Sequence, residues 1–170
     1  MFRTKGDGKE GRAYHHNLIE DVASLDVGAG IVLGSIYFEW AIRRAIVALG
    51  KSSVSELNAK FKAGHNLGYE DLKRLWKEEV AGRDGISGLT DVFDLNPKKP
   101  VFGKLKLTGR DIDRARTRRN EIVHGGRCSP LPKNGFDYVM LQIAAAEALA
   151  DLVERRSGRS IYSPIRRKTK

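Results

Sequence analysis

Apolar residues recur at helical spacing along most of the chain. From about Asp26 to Leu49 they surround almost the whole helix circumference, which predicts a central, buried helix that stops at Gly50. Further helices are predicted over about 55–62, 69–81, 108–124 and 136–156, where apolar residues return every three or four positions. No run alternates as a strand does. The predicted fold is therefore an all-α bundle of four to five helices.

The ends of the chain differ in composition from its middle. Residues 1–16 are rich in glycine and charge and are predicted to form a flexible N-terminal tail. Residues 17–158 are predicted to form a single helical domain, and residues 159–170 a basic C-terminal tail. Within the domain, residues 82–103 are rich in Gly, Asp and Pro and are predicted to form a long loop.

Charge and cysteine content limit the classes of partner and the cellular compartment that we expect. Lys and Arg number 31 against 21 Asp and Glu, a net charge of +10 that favours RNA, DNA or an anionic membrane as partner. A merely basic, solvated surface is the equal alternative. Cys128 is the single cysteine, which excludes an intrachain disulfide and suits a reducing compartment. The longest apolar stretch, residues 27–38, is too short to span a bilayer. We expect a cytoplasmic protein without a membrane partner.

The helix predicted over 108–124 contains an arginine in an unexpected place. Thr108 is its predicted N-cap, with Asp111 three residues on, and glycines stop it after His124. One arc is apolar and is expected to face the core or a partner: Ile112, Ala115, Ile122 and Val123. The water-facing arc contains Arg110, Asp111, Arg114, Arg118 and Glu121. Arg119 falls within the apolar arc, so it is expected to be paired, at an interface, or poised for an anion.

A polar line runs along the edge of this arc. Arg116, Asn120 and His124 follow one another at four-residue steps, and His124 lies about 140° around the helix from Arg119. A two-fold axis along this edge brings two arginines and two histidines together, which predicts a composite site in a homodimer. Histidine can exchange protons with the ribose and the leaving oxygen of RNA, and arginine can bind the phosphate. No metal is needed if the ribose supplies the nucleophile.

These residues carry a family resemblance. The stretch "RNEIVHG", Arg119 to Gly125, resembles the R-x4-H signature of the HEPN superfamily in its common form R-N-x-x-x-H. The stretch "GHNLGYEDLKRLW", preceded by "YFEWAIRRAIVAL", is also similar to helices of HEPN-type proteins. The resemblance covers about Asp26 to Glu154. It implies a small helical bundle whose motif lies close to a dimer interface.

The resemblance also implies an activity. Many HEPN proteins are metal-independent endoribonucleases of toxin–antitoxin, phage-defence or CRISPR-linked systems, and others are non-catalytic modules that bind RNA or protein. By resemblance, Arg119 and His124 form the catalytic pair and Asn120 supports them, with 2′,3′-cyclic phosphate and 5′-hydroxyl products and no cofactor. A cognate antitoxin or other regulatory protein is an implied partner. Gly126 replaces the tyrosine that a partner nucleotidyltransferase modifies in one variation, which puts that type of antitoxin in doubt.

Other residues have two interpretations each. Glu39 either forms an ion pair with Arg43 one turn on, or positions Arg119 or His124 from the neighbouring helix, with Arg116 as a second supporting residue. A purely structural bundle, in which Arg119 pairs with Glu39, is a third overall interpretation. The following lysines form either a phosphate-guiding patch or a solvated loop: Lys98, Lys99, Lys104 and Lys106. His65 is expected to buttress a helix start, and Cys128 to be incidental.

Overall fold

The computed structural model describes residues 8–63, 67–82, 86–95, 98–125 and 134–164, with side chains from residue 11 onward. Within these ranges the elements are α1 (Gly8–Leu25), α2 (Val27–Leu49), α3 (Val54–Ala63), α4 (Tyr69–Glu79), α5 (Asp91–Asp94), β1 (Val101–Phe102), β2 (Leu105–Lys106), α6 (Gly109–Val123) and α7 (Gly135–Ser157). The predicted all-α class is confirmed. No helix in the described part of the chain is long and apolar enough to cross a bilayer. His65, Gly126 and Cys128 lie outside the described residues.

The helix α2 is the centre of the bundle, as its apolar circumference predicts. The carboxylate of Asp26 caps its start by accepting the N–H of Ala29 at 3.0 Å, and the helix ends at Gly50. It packs most extensively on α7 and also contacts α1, α3, α4 and α6. Small residues on both main helices are fully buried, among them Ala41 and Ala145. Such side chains let two helices approach closely without leaving voids.

The prediction of a tail over residues 1–16 is wrong for residues 8–16, which belong to α1. Gly11, His15, Ile19 and Ala23 recur at four-residue spacing and are all buried, so they form a narrow stripe that packs on α2. The stripe is easy to miss because a glycine and a histidine occupy two of its four positions. The His15 ring lies 5.6 Å from the Tyr37 ring, where it serves as an aromatic core residue.

A partly buried polar network joins α1 to α7. The Glu147 carboxylate accepts the Tyr162 hydroxyl at 2.8 Å and lies 2.8 Å from Nε of Arg12 and 2.9 Å from Nε2 of His16. Burial alone raises the pKa of Glu147, but the hydrogen bonds from His16 and Tyr162 and the charge of Arg12 outweigh it and lower that pKa. The network is satisfied from several sides, so we assign it a structural role.

The segment after α7 is also part of the domain. Gly158 ends α7 in the left-handed conformation, at φ 64°, which turns the chain back onto the bundle. Ile161 and Tyr162 are buried, and the Arg44 guanidinium donates to the carbonyls of Ile161, at 2.8 Å, and of Ser163. The predicted boundary at residue 158 is therefore corrected, because residues 159–164 pack on α2; residues 165–170 lie outside the described ranges.

The predicted loop over 82–103 contains α5 and the first strand of a short hairpin. The strands β1 and β2 pair antiparallel, with Val101 opposite Lys106. Asp111 joins this hairpin to α6: its carboxylate accepts the backbone N–H of Lys106 at 2.9 Å and pairs with Arg114 at 2.8 Å. The prediction that Asp111 faces water is therefore wrong, since capping and hairpin contacts leave it only 7% exposed.

The close approach of α1 to α2 allows a direct test of the α1 assignment. A Cβ atom at Gly30 would lie 2.5 Å from Cβ and 2.7 Å from Cα of Ala23. We expect Gly30→Ala to lower the free energy of unfolding in urea by about 1–3 kcal/mol, because the helices must move apart. Gly88→Ala is the matched control, since a Cβ atom there meets nothing closer than 3.7 Å. Equal stability of the two variants would show that α1 does not pack at this position.

Candidate functional site

The helix α6 places the motif residues at its C-terminal end. Thr108 caps its start as predicted, with Oγ1 accepting the Asp111 N–H at 3.3 Å. The backbone N–H of His124 donates to the Asn120 carbonyl at 3.0 Å, and Gly125 then adopts φ 60°. Glycine tolerates this left-handed conformation, so it ends the helix immediately after the histidine. The final turn of α6 therefore carries Asn120 and His124, with Arg119 directly before it.

Arg119 retains most of its hydrogen-bonding capacity. The side chain is half-buried and its Nη1 donates to Oδ1 of Asn120 at 3.0 Å. Its Nε is buried without a hydrogen-bond partner, and the guanidinium forms no ion pair with any described residue. A buried donor that stays without a partner costs about 1–3 kcal/mol, so a water molecule or ligand that accepts from Nε would stabilise the protein. Asn120 thus contacts the guanidinium through this one hydrogen bond.

His124 is not joined to Arg119 within the chain. Its side chain is exposed and makes no hydrogen bond or ion pair with any described residue. The next residues toward the N-terminus are apolar but incompletely covered: Val123 is 47% exposed and Ile122 is half-buried. The predicted apolar arc is therefore fully buried at Ile112 and Ala115, whereas Ile122 packs on the edge of the core. The end of α6 presents histidine and apolar surface together to the outside.

Glu39 does not form the ion pair predicted with Arg43. Instead Nη2 of Arg43 donates to the Leu67 carbonyl at 3.1 Å, and its guanidinium lies 5.8 Å from the centre of the Phe61 ring. Competition from this carbonyl and ring explains the difference. Glu39 makes no hydrogen bond with any described residue. Burial raises its pKa, and the opposing attraction of Arg119, Arg43 and Arg116, strongest from Arg119, does not compensate.

The raised pKa of Glu39 argues against the structural interpretation, in which Arg119 forms an ion pair with Glu39. A stabilising ion pair lowers the pKa of its carboxyl group, whereas the pKa of Glu39 is raised. No ion-pair distance between Glu39 and Arg119 is reached within the described residues. Arg119 is nonetheless the charge that acts most strongly on Glu39. The two groups are therefore neighbours that share an electrostatic environment without satisfying each other.

Arg116 lies between the motif and α4. Its Nη1 pairs with Oε1 of Glu70 at 2.5 Å, and its guanidinium lies 5.2 Å from the centre of the Tyr69 ring. Arg116 and Glu39 both line a small cleft between α2, α4, α6 and α7, whose free volume of about 10 Å³ has room for about one water molecule. The full lining is Ser35, Phe38, Glu39, Tyr69, Ile112, Arg116 and Gln142. The structure thus brings the two predicted supporting residues to one cleft beside Arg119.

Two residues of this cleft were not predicted from the sequence. Gln142 is 2% exposed and its Oε1 has no hydrogen-bond partner among the residues that the structure describes. Tyr69 is 3% exposed, and the same holds for its hydroxyl. Burial also raises the pKa of Tyr69. Gln142 gives a weak sequence signal, since it is the polar residue within the apolar run "VMLQIAAA". Tyr69 gives none, because an aromatic residue at a helix start reads as core.

The four lysines of the predicted patch are exposed: Lys98, Lys99, Lys104 and Lys106. Lys99 pairs with Asp94 at 3.0 Å, while Lys104 and Lys106 lie on the β1–β2 hairpin that precedes α6. Because α6 has 15 residues, the hairpin and His124 lie at ends about 20 Å apart. If these lysines guide phosphates, they contact a part of the RNA that lies about 20 Å from the motif.

Comparisons and metal-ligand geometry add no further assignment. Within the described residues, no group of three or more His, Cys, Asp or Glu side chains has the geometry to hold a metal ion. No family model matches the chain, and no significant match was found among curated proteins or solved structures. The interpretation of the site therefore depends on the residues themselves: a half-buried arginine with free donors, an exposed histidine one turn on, and a cleft with unsatisfied polar groups.

Proposed function

We propose that this protein is a metal-independent endoribonuclease of HEPN type that acts as a homodimer. The observation that carries the proposal is Arg119, whose Nε is buried without a hydrogen-bond partner among the described residues, about one turn before the exposed His124. No ion pair within the described part of the chain accounts for this arginine. An anion such as a phosphodiester supplies the acceptors that it lacks. The net charge of +10 favours the same polyanionic partner.

The proposed reaction is transesterification within RNA. His124 takes the proton of the 2′-hydroxyl, whose oxygen attacks the adjacent phosphorus, and a histidine returns a proton to the departing 5′-oxygen. Arg119 binds the phosphate oxygens and stabilises the charge that develops on them. The phosphorus–oxygen bond to the 5′-oxygen breaks, which leaves a 2′,3′-cyclic phosphate and a 5′-hydroxyl. The RNA supplies the nucleophile, so this chemistry does not require a metal.

The homodimer is part of the proposal because one chain does not bring the pair together. Arg119 and His124 diverge on α6, and the exposed Val123 lies beside the histidine. A second copy packed on this end of α6 covers the apolar surface and juxtaposes two motifs. The alternative is a non-catalytic module that binds RNA or protein through its positive charge. A role in a toxin–antitoxin or phage-defence system is implied by the resemblance.

The first experiment is cleavage of a mixed RNA pool by the purified protein in EDTA, beside His124→Ala purified identically. We expect cleavage by the unsubstituted protein, products with 2′,3′-cyclic phosphate ends, and a rate about 10²- to 10⁴-fold lower for the variant. Because the His124 side chain is exposed and makes no hydrogen bond or ion pair with a described residue, the free energy of unfolding of the variant should lie within about 0.5 kcal/mol of the original. RNA binding without cleavage by either protein would favour the binding module. Equal cleavage by both would exclude His124 as the catalytic base.

A further inference from the structure

We propose that Arg43 binds a second phosphate of the RNA, next to the phosphate that Arg119 binds, so that the protein recognises two consecutive phosphates of a single strand. This inference deepens the proposed function and rests on it for the effect on cleavage, but not for the binding of RNA. Arg43 belongs to α2 and Arg119 to α6, and these two helices pack on each other. Both side chains are half-buried, and neither forms an ion pair with any described residue.

Arg43 has two contacts and retains most of its hydrogen-bond donors. Its Nη2 donates to the Leu67 carbonyl at 3.1 Å, and its guanidinium lies 5.8 Å from the centre of the Phe61 ring. A guanidinium has several N–H donors, so a single carbonyl leaves most of them available to an anion. The two contacts also restrict the side chain, which lowers the entropy that it loses when a ligand binds. Arg43 is therefore both available and oriented.

Contacts with the start of α4 place Arg43 close to the motif helix. Arg43 donates to the carbonyl of Leu67, just before α4 begins. The guanidinium of Arg116, on α6, lies 5.2 Å from the centre of the ring of Tyr69, the first residue of α4. Arg119 follows Arg116 at a distance of about 4.5 Å along the axis of α6. Since α2 and α6 pack on each other, Arg43 and Arg119 lie in one region of the bundle.

The carboxylate of Glu39 reports on both arginines. Burial raises the pKa of Glu39, and Arg119 and Arg43 are the two charges that oppose this rise most strongly. Both guanidiniums therefore lie within electrostatic reach of one carboxylate, and neither forms an ion pair with it. Two positive charges against one negative charge leave this region positive, which attracts a polyanion. Arg116 does not alter the balance, because Glu70 pairs with it.

Two guanidiniums with separate contacts fit consecutive phosphates better than a single phosphate. Arg43 contacts the Leu67 carbonyl, whereas Arg119 contacts the Asn120 amide. Each phosphodiester group presents two charged oxygens, which one guanidinium can bind side by side. Proteins that bind single strands without reading the bases follow the backbone with positive groups in this way. Because Arg119 binds the phosphate that reacts, Arg43 binds its neighbour on the same strand.

Uncharged linkages test the inference without reference to cleavage. By isothermal calorimetry at low salt, we would titrate the protein with a 2′-O-methyl uridine trinucleotide, which has two phosphates and cannot be cleaved. Two further trinucleotides carry a neutral methylphosphonate at one linkage or the other. We expect each of these to bind about tenfold more weakly than the fully charged trinucleotide, because it loses one charge-assisted contact. Equal affinities for all three would overturn the second phosphate site.

The variant Arg43→Met identifies the group responsible. Methionine retains an apolar contact with Phe61 but has no charge, so the preference for the fully charged trinucleotide should almost disappear. Arg110→Met is the matched control, since Arg110 is exposed, forms no ion pair with a described residue and lies about 14 Å from Arg119 along α6. It should retain the preference. If the preference survives in Arg43→Met, Arg43 does not bind the second phosphate.

Cleavage kinetics separate this inference from the proposed ribonuclease. With a uridine trinucleotide as substrate, Arg43→Met should raise KM about tenfold and leave kcat within a few fold, because Arg43 binds a phosphate that does not react. Cleavage that does not depend on the charge of the second phosphate would overturn this inference and leave the ribonuclease standing. A charge preference in binding, without cleavage of any RNA, would sustain the second phosphate site and overturn the ribonuclease.

Discussion

Replacing Arg119 with alanine should lower the rate of RNA cleavage by about 10²- to 10³-fold, the usual cost of removing one group that stabilises transition-state charge. Arg119→Lys should not restore the rate, because an ammonium lacks the planar pair of donors that binds two phosphate oxygens. The fold should persist, since the side chain makes one described hydrogen bond, to Asn120. Single-turnover cleavage at saturating RNA is the measurement, and thermal unfolding verifies the fold.

The neighbouring arginine provides a matched control for this prediction. Arg118 lies next to Arg119 in sequence but pairs with Glu121 at 2.6 Å on the surface of α6. Arg118→Ala removes the same charge and a similar volume, so it should lower cleavage by no more than a few fold through weaker RNA binding. If both variants lose activity equally, charge alone matters, and Arg119 has no special role in the reaction.

The Arg119→Ala variant also tests whether the active site is shared between two chains. In a mixture of Arg119→Ala and His124→Ala chains, a mixed dimer retains one intact arginine and one intact histidine. If these act across the two-fold axis, mixing two inactive proteins should restore about a quarter of the original activity. Unfolding and refolding the chains together ensures exchange. No recovery in a preparation shown to contain mixed dimers would place the whole site within one chain.

The helices with clear local signals are the easiest to predict from the sequence. The helix α2 is apolar around its circumference, and α6 has a Thr108 cap and a glycine stop, so their ends lie within a few residues of the predicted bounds. The sequence does not predict α1, because its buried stripe includes His15, which packs as an aromatic ring, and Gly11, which has no apolar side chain. Burial of such residues depends on partners that lie far along the chain.

Only the part of the site that depends on local helix geometry can be predicted from the sequence. Arg119 stands out on a helical wheel because local geometry alone places it on the apolar arc. The cleft cannot be identified in this way, because the residues that line it come from four different helices: Glu39, Tyr69, Arg116 and Gln142. The Glu39–Arg43 pair failed because the Leu67 carbonyl takes the arginine, a competitor that helical spacing does not reveal. Local periodicity thus identifies individual residues, whereas tertiary packing determines which of them meet.

The largest stability effect is expected at the end of α4, the helix that brings Tyr69 to the cleft. Glu79 is 4% exposed, and its carboxylate accepts the Ser52 N–H and hydroxyl at 2.9 Å each and Nζ of Lys60 at 2.6 Å. Burial alone raises the pKa of Glu79, but these hydrogen bonds outweigh it and lower the pKa from 4.5 to about 2. At about 1.4 kcal/mol for each pH unit, this lowering corresponds to roughly 3 kcal/mol of stability at neutral pH.

Because the pKa of Glu79 is lower in the folded chain, its contribution is complete above about pH 4.5 and is lost as the pH falls toward 2. Glu79→Gln should therefore lower the free energy of unfolding by roughly 3 kcal/mol at pH 7 and by progressively less below pH 4.5. Urea unfolding at several pH values measures this difference. Glu78→Gln, the exposed neighbour, should change stability by less than about 0.5 kcal/mol at every pH. If the free energies of unfolding of Glu79→Gln and the unsubstituted protein differ by the same amount at every pH, the charge of Glu79 does not contribute to the contact between α4 and the α2–α3 connection.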